Sequence, residues 1–151
     1  MPQTYKPEQS LGFVLNDVAR LMRRNFNRRV QELELTQAQW QALIHISRNQ
    51  GMKQSELADI LEVQPISIGR LIDRMEAAGW VERRPDPADR RAINLYLTDK
   101  ADPILTKMQK HGSAVRAQAL SGVSEKEQEI MLRALFVMRK NLIGEEGQNN
   151  E

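Results

Sequence analysis

Two arginines at the apex of a predicted hairpin are the residues best suited to contact a ligand. Arg90 and Arg91 follow two prolines and stand close to two acids, Asp86 and Asp89. An extended arginine fits the narrow, strongly negative minor groove of DNA, and a second arginine can pair with an aspartate to hold the loop. A solvated, charge-balanced hairpin is the alternative for the same residues.

A helix ahead of this hairpin carries a second group of polar side chains. Its apolar residues recur at i, i+3, i+4 and i+7 and predict a buried face, formed by Ile68, Leu71, Ile72 and Met75. On the other side, Arg70 can donate to guanine or to a phosphate, and Gln64 and Ser67 can donate or accept. Gly69 inside a helix costs about 1 kcal/mol relative to alanine, which suggests a close approach of the backbone to DNA. A plain surface helix carrying Arg70 and Arg74 is the alternative.

Together these segments form a helix, a turn, a helix beginning at Pro65 and then a winged hairpin. In that order a helix can enter the major groove while the hairpin apex reaches a neighbouring minor groove. The residues predicted to contact DNA are Gln54, Ser55, Gln64, Pro65, Ile66, Ser67, Gly69, Arg70, Arg74, Asp89, Arg90 and Arg91.

Other polar residues give weaker indications. Five arginines between positions 20 and 29, with no acid among them, could flank DNA, bind an anionic effector or form a solvated face, and we favour the last. His45 and His111 are isolated, so no metal site is predicted. No nucleophile elbow, phosphate-binding glycine loop or pair of catalytic carboxylates stands out, so neither a catalytic residue nor a cofactor is predicted.

Composition sets limits on the function. The chain has 151 residues, a formal charge of +2 and no cysteine, which excludes disulfides and thiol switches. Between positions 53 and 91 there are seven Lys/Arg and eight Asp/Glu, so a DNA-binding unit must segregate its positive groups onto one face. No apolar run is long enough for a membrane span and no signal peptide is evident, which predicts a soluble, cytoplasmic protein.

The elements that position these residues follow from hydrophobic periodicity. We expect one long helix over 11–33, a second helix capped by Thr36 that buries Trp40, Leu43, Ile44 and Ser47, and short helices over 54–61 and 65–78. Strands are predicted over 81–84 and 92–97, joined by a projecting loop over 85–91. A fifth helix ends at Gly122, and a sixth begins at a capping box at Ser124 and ends before Gly144.

The fold class predicted is therefore mainly α with a small β-hairpin wing. The expected domains are a flexible arm over 1–10, a DNA-binding lobe over 35–98, a helical dimerisation region over 11–34 and 99–143, and a disordered tail over 144–151. The amphipathic terminal helices leave apolar stripes that a second copy would cover.

Three segments resemble the MarR family of winged-helix regulators, and its SlyA-like branch in particular. They are QSELADILEVQPISIGRLIDRM over 54–75, RRPDPADRRAINLYLTDKA over 83–101, and Leu35-Thr36-Gln37 ahead of Trp40. The similarity extends from about residue 11 to residue 143. It implies a homodimer with intertwined first, fifth and sixth helices, an inverted-repeat operator, and relief of repression by small aromatic or anionic ligands.

The resemblance also implies roles for single residues. The arginine matching Arg90 enters the minor groove, and the pair matching Asp89 and Arg91 braces the wing. Trp40 and His45 lie on the helix that lines the ligand cleft in relatives, although packing is our preferred role for both. The chain departs from the family at Gln64, where serine is common, and at Gly69, where a small polar residue is common.

We therefore expect a dimeric, sequence-specific regulator, most simply a repressor, that binds duplex DNA and responds to a small effector. A winged-helix module that binds protein and not DNA is the main alternative, because the charge between 53 and 91 is balanced. A small enzyme is a third class, for which no residue constellation was found.

Overall fold

The computed structural model describes residues 6–148, and side chains up to residue 144. Six α-helices and three strands follow one another in the order α1 (Leu11–Arg29), α2 (Gln37–Arg48), β1 (Met52–Lys53), α3 (Gln54–Leu61), α4 (Pro65–Ala77), β2 (Val81–Pro85), β3 (Ile93–Leu97), α5 (Asp102–Ala119) and α6 (Glu125–Gln148). The mainly helical fold with a small β wing is confirmed. The chain divides into two compact units, Met1–Val115 and Arg116–Glu151.

The core of the first unit lies where α2, α3, α4 and the sheet meet. Its fully enclosed side chains are Val30, Leu43, Ile46, Leu57, Ile68, Ile72, Met75, Val81 and Leu95. The buried face predicted for α4 is present, with Leu71 at its half-buried margin. This packing fixes which side of α4 is left to solvent.

The prediction of one helix over 11–33 was wrong. α1 ends at Arg29, a 3₁₀ turn spans Val30–Leu33, and Glu34 adopts a left-handed conformation with φ of 56°. Because the 3₁₀ turn still directs Val30 and Leu33 inward, the apolar periodicity continues through the break.

Local signals at the ends of α2 and α4 formed as predicted. The side chain of Thr36 accepts from the Gln39 backbone N–H and the Gln39 side chain accepts from Thr36, which completes a capping box. α4 begins at Pro65, and Gly79 has a φ of +82° two residues after its end. The predicted burial of Ser47 was wrong: its hydroxyl donates to the carbonyl of Ile44, and the inner face carries Ile46 instead.

The hairpin belongs to a three-stranded antiparallel sheet, where two strands had been predicted. The order is β1-β3-β2, with Val81 opposite Leu97 and Met52 opposite Leu95. β1 has only two residues, too few for a recognisable alternation. Pro85 ends β2, an edge strand, where its missing N–H is tolerated.

The last two helices differ from prediction at their boundaries. A 3₁₀ turn over Asp99–Ala101 precedes α5, and α5 ends at Ala119, three residues before Gly122. The capping box at Ser124 is present. α6 continues through Gly144 to Gln148, so the tail predicted to be disordered is helical over 144–148. A glycine with helix formers on both sides costs about 1 kcal/mol, which does not end a helix by itself.

Part of each predicted terminal segment lies outside the described residues, namely 1–5 and 149–151. Within 6–10, Pro7–Gln9 form a 3₁₀ turn, and the side chain of Ser10 accepts from the Phe13 N–H to cap α1. Within the described part of the chain, the helices are too short or too polar to cross a bilayer.

Candidate nucleic-acid interface

The outward edge of α4 is exposed along its first two turns. Gln64, Ile66, Ser67 and Arg70 are all exposed to solvent, and Ile66 is 65 % exposed. An isoleucine this open beside amide, hydroxyl and guanidinium groups offers an apolar contact for a thymine methyl together with donors for base edges or phosphates. The exposure predicted for this edge is therefore confirmed, whereas the DNA contacts themselves remain predictions.

The hairpin apex is held by aspartates that accept from backbone N–H groups. Asp86 Oδ1 accepts from the N–H of Ala88 at 2.8 Å and of Asp89 at 3.1 Å. Asp89 Oδ1 accepts from the N–H of Arg91 at 2.9 Å. These hydrogen bonds lower the pKa of Asp86, and the one from Ala88 has the largest effect. The carboxyl group of Asp86 is therefore charged at neutral pH. The contact between Asp89 and Arg91 therefore involves the arginine's backbone, where a side-chain brace had been expected.

The bracing leaves two guanidinium groups without partners. Arg90 and Arg91 are exposed, and neither side chain forms a hydrogen bond or ion pair with any residue in 6–148. Their positive charge is consequently available to an external anion. Their location at the end of an ordered loop matches the wing predicted from the sequence.

A cleft of about 240 Å³ brings several predicted residues together. Gln54 and Ser55 of α3, Pro65 of α4 and Arg91 of the wing all line it, with apolar side chains such as Ile68 at its floor. The helix-turn-helix and the wing are therefore neighbours. Ser55 faces solvent, whereas the Gln54 amide oxygen is occupied by an intramolecular bond.

That bond comes from Arg83, which the sequence analysis did not single out. Its guanidinium donates to the Gln54 side chain at 3.1 Å, to the carbonyl of Gly69 at 2.9 Å and to Asp73 at 2.5 Å. A signal was available, because strand alternation places residue 83 on the same face as the buried Val81. A charged residue in an inward-facing register requires a partner.

Gly69 faces this arginine. A Cβ at residue 69 would lie 3.9 Å from its nearest neighbour, the Gln54 amide nitrogen, so the packing leaves room for a side chain. Arg74, the other predicted contact on α4, is exposed. Whether either residue touches DNA remains a prediction.

Trp40 and His45, the residues named for an effector, lie within the packing of α2. The Trp40 ring is buried edge-on against Phe26, with ring centroids 4.6 Å apart, and its Nε1 donates to Asn27 at 2.6 Å. His45 is half-buried, and burial together with the nearby Arg48 lowers its pKa, so it is neutral at neutral pH. Trp40 is therefore a core packing group, whereas an effector role for either residue remains a prediction.

The arginine cluster of α1 forms a recess. An open concavity of about 440 Å³ is lined only by cationic and amide side chains, namely Arg20, Arg23, Arg24, Asn27, Arg28, Gln31 and Gln37. Its floor is ordered, since Asn27 donates to Gln37 at 2.8 Å and accepts from buried Trp40. The side chains of Arg23 and Arg24 form no hydrogen bond or ion pair with another described residue. Across residues 6–148, no group of His, Asp and Glu has an arrangement that could hold a metal ion.

Comparison with known proteins places this arrangement in a family. The sequence model of the MarR family matches residues 35–93. The crystal structure of a MarR protein is 26 % identical, with a TM-score of 0.82, and the match covers 97 % of this chain and 99 % of that one. The transcriptional regulator PA3341 is 33 % identical, with a TM-score of 0.78, over 89 % of this chain and 99 % of its own.

A third structure contains nucleic acid. It is a mutant MarR from E. coli complexed with operator DNA, which is 26 % identical with a TM-score of 0.69 over 85 % of this chain and 92 % of that one. Identity above 30 % over nearly the whole chain, together with the family match across the helix-turn-helix and wing, establishes the relationship. This chain belongs to the MarR family of winged-helix transcriptional regulators.

Proposed function

We propose that this protein is a sequence-specific regulator of transcription that binds duplex DNA with α4 in the major groove and the wing in the adjacent minor groove. The observation that carries the proposal is the pair of unpartnered guanidinium groups of Arg90 and Arg91 at a braced apex, beside the exposed edge of α4. Operator DNA bound to a MarR relative supports it. We assign a binding role, because the family to which the chain belongs consists of transcriptional regulators.

We further propose that the active form is a homodimer. One side of α1 exposes Leu11, Val14, Leu15, Val18 and Leu21, and α6 independently exposes Ile130, Met131, Phe136, Val137 and Leu142. Apolar stripes of this length are covered by another subunit in helical dimers. Two-fold symmetry would then set the recognition helices about one turn of DNA apart, roughly 34 Å, and favour an inverted-repeat operator.

The regulatory details follow from the same assignment. Occupation of an operator by a compact dimer obstructs transcription, so repression is the proposed outcome, in the cytoplasm and within the SlyA-like branch of the family. A small aromatic or anionic effector would relieve it. The arginine-lined recess of α1 is better suited to an anion than Trp40 or His45, since its arginines are exposed or half-buried and the side chains of Arg23 and Arg24 have no partner among the described residues.

Selection of bound duplexes from a random DNA pool tests the proposal. We expect a two-fold symmetric consensus and an affinity that falls steeply with salt, because phosphate neutralisation releases counterions. The winged-helix module that binds only protein is the rival, favoured by the balanced charge of residues 53–91. It predicts no enrichment and no steep salt dependence for random duplex DNA, and that result would overturn the proposal.

A further inference from the structure

The Arg83 side chain forms hydrogen bonds to two other elements, α3 and α4. From β2 it reaches Gln54 on α3 and both Gly69 and Asp73 on α4, and Glu76 of α4 lies 3.6 Å away. The backbone N–H of Arg83 also donates to Glu76 at 3.4 Å. The strand that leads to the wing is thereby tied to both helices of the helix-turn-helix.

The geometry of these bonds requires arginine. Three nitrogens of one planar guanidinium donate in three directions, to an amide oxygen, a backbone carbonyl and a carboxylate. Lysine is a single charged centre on a flexible stem and cannot reproduce this rigid fork. The Arg83 side chain is 21 % exposed and Asp73 is 65 % exposed. A single exposed ion pair of this kind contributes little stability, so orientation is the main result of the contacts.

The same contacts affect how charge is distributed over α4. Asp73 and Glu76 are exposed acids on α4, the helix proposed to approach phosphates. By lying against both carboxylates, the single positive charge of Arg83 offsets part of their negative charge. Arg70 on the outer edge, together with Arg90 and Arg91 at the apex, then remains as a positive group offered to DNA.

We infer that Arg83 is a positioning residue that fixes the angle between the wing and α4, so that both engage one DNA duplex. The inference rests on the proposed function for its purpose, although the contacts exist without DNA. Arg83 itself touches no phosphate or base in this assignment. Its effect on binding is therefore exerted through Arg90.

The test compares Arg83→Lys with Arg84→Lys, a matched change at the neighbouring residue, which pairs with Glu82 and lies over the Tyr96 ring. On the duplex recovered by selection, Arg83→Lys should weaken binding by roughly tenfold, the size of one lost base contact. The slope of affinity against salt should stay unchanged, because the phosphate contacts are intact. Arg84→Lys should bind like the parent.

A double-mutant cycle separates positioning from direct contact. In an Arg90→Ala background, Arg83→Lys should have almost no further effect, because the wing contact that it positions is already absent. Additive losses, or a salt slope reduced by about one, would show that Arg83 contacts DNA directly and would overturn the inference.

Hydrogen–deuterium exchange on the free full-length protein provides a readout that does not involve DNA. Arg83→Lys should speed exchange in β2 and in the first turns of α4, while Arg84→Lys and α6 stay unchanged. Exchange identical to the parent would overturn the inference. If the parent binds no DNA, the proposed function fails, and the exchange result still decides whether Arg83 joins the wing to α4.

Discussion

An arginine without a partner at a loop apex is a group whose removal leaves the folded chain almost undisturbed. Arg90 forms no side-chain bond with any described residue, while the loop beneath it is held by Asp86 and Asp89 through backbone N–H groups. The shape of the wing and its charge are therefore carried by different residues. Binding and stability can be altered separately at this position.

Replacing Arg90 with alanine should weaken binding to the selected duplex by at least about tenfold, or about 1.4 kcal/mol, because a minor-groove guanidinium is lost. The melting temperature should match that of the parent. Fluorescence anisotropy and thermal denaturation measure the two quantities. Arg84→Ala, which removes the same charge from the same hairpin, serves as the control. Equal affinities for the Arg90→Ala variant and the parent would refute the wing assignment.

For single residues, the sequence predicted which side chains are exposed better than it predicted which side chains contact one another. The open positions of Arg70 and Arg90 followed from helical spacing and from a loop too long for a tight turn. The role of Arg83 was missed, since its partners lie 7 to 29 residues away along the chain. Ser47 was predicted to be buried because its position fits the helical spacing. Its hydroxyl instead bonds to a carbonyl of its own helix, so the residue can remain exposed.

Among the elements, helix starts were more predictable than helix ends. The capping boxes at Thr36 and Ser124 and the proline at residue 65 are local signals, and all three mark observed boundaries. The break after Arg29 and the passage of α6 through Gly144 depend on tertiary packing and on weak local preferences. β1 pairs with a strand some forty residues later, so no short-range pattern indicates it.

The wing loop should be sensitive to acid. The lowered pKa of Asp86 means that its carboxylate stabilises the loop at neutral pH, and this stabilisation is lost as the pH falls through the lowered value, below the ordinary aspartate range. We expect the NMR shifts of the Ala88 and Asp89 amides to move together in a transition below about pH 4.

The control for this titration is Asp86→Asn, whose amide oxygen can still accept from the loop but does not titrate in this range. The transition should disappear in this variant. A transition that persists, or one centred well above the aspartate range, would contradict the role given to Asp86.

For the whole molecule, the exposed apolar side chains of α1 and α6 are the dominant surface feature. Seventeen large hydrophobic residues among those described are exposed, and thirteen of them lie on these two helices. The sequence predicted these stripes as amphipathic faces. That a second copy covers these stripes is our inference, which rests on their extent and on the family to which the chain belongs.

Replacing Phe136 on α6 with glutamate should shift the chain from dimer to monomer, because an unpaired charge would be buried at the subunit interface. Sedimentation velocity should show a dissociation constant raised by more than about tenfold. Lys140→Glu, a change of charge at an exposed polar site on the same helix, is the control. A Phe136→Glu chain that remains dimeric, or a parent that is already monomeric, would contradict the dimer assignment.

The short sheet also limits how these molecules can associate. Its two open edges are β1, which has only two residues, and β2, which is closed at its far end by Pro85. Neither edge presents a long row of free N–H and C=O groups, so strand-to-strand recruitment of further copies is disfavoured. The sheet therefore offers little surface on which fibres could grow, and we expect any association between copies to use the exposed apolar faces of α1 and α6 instead.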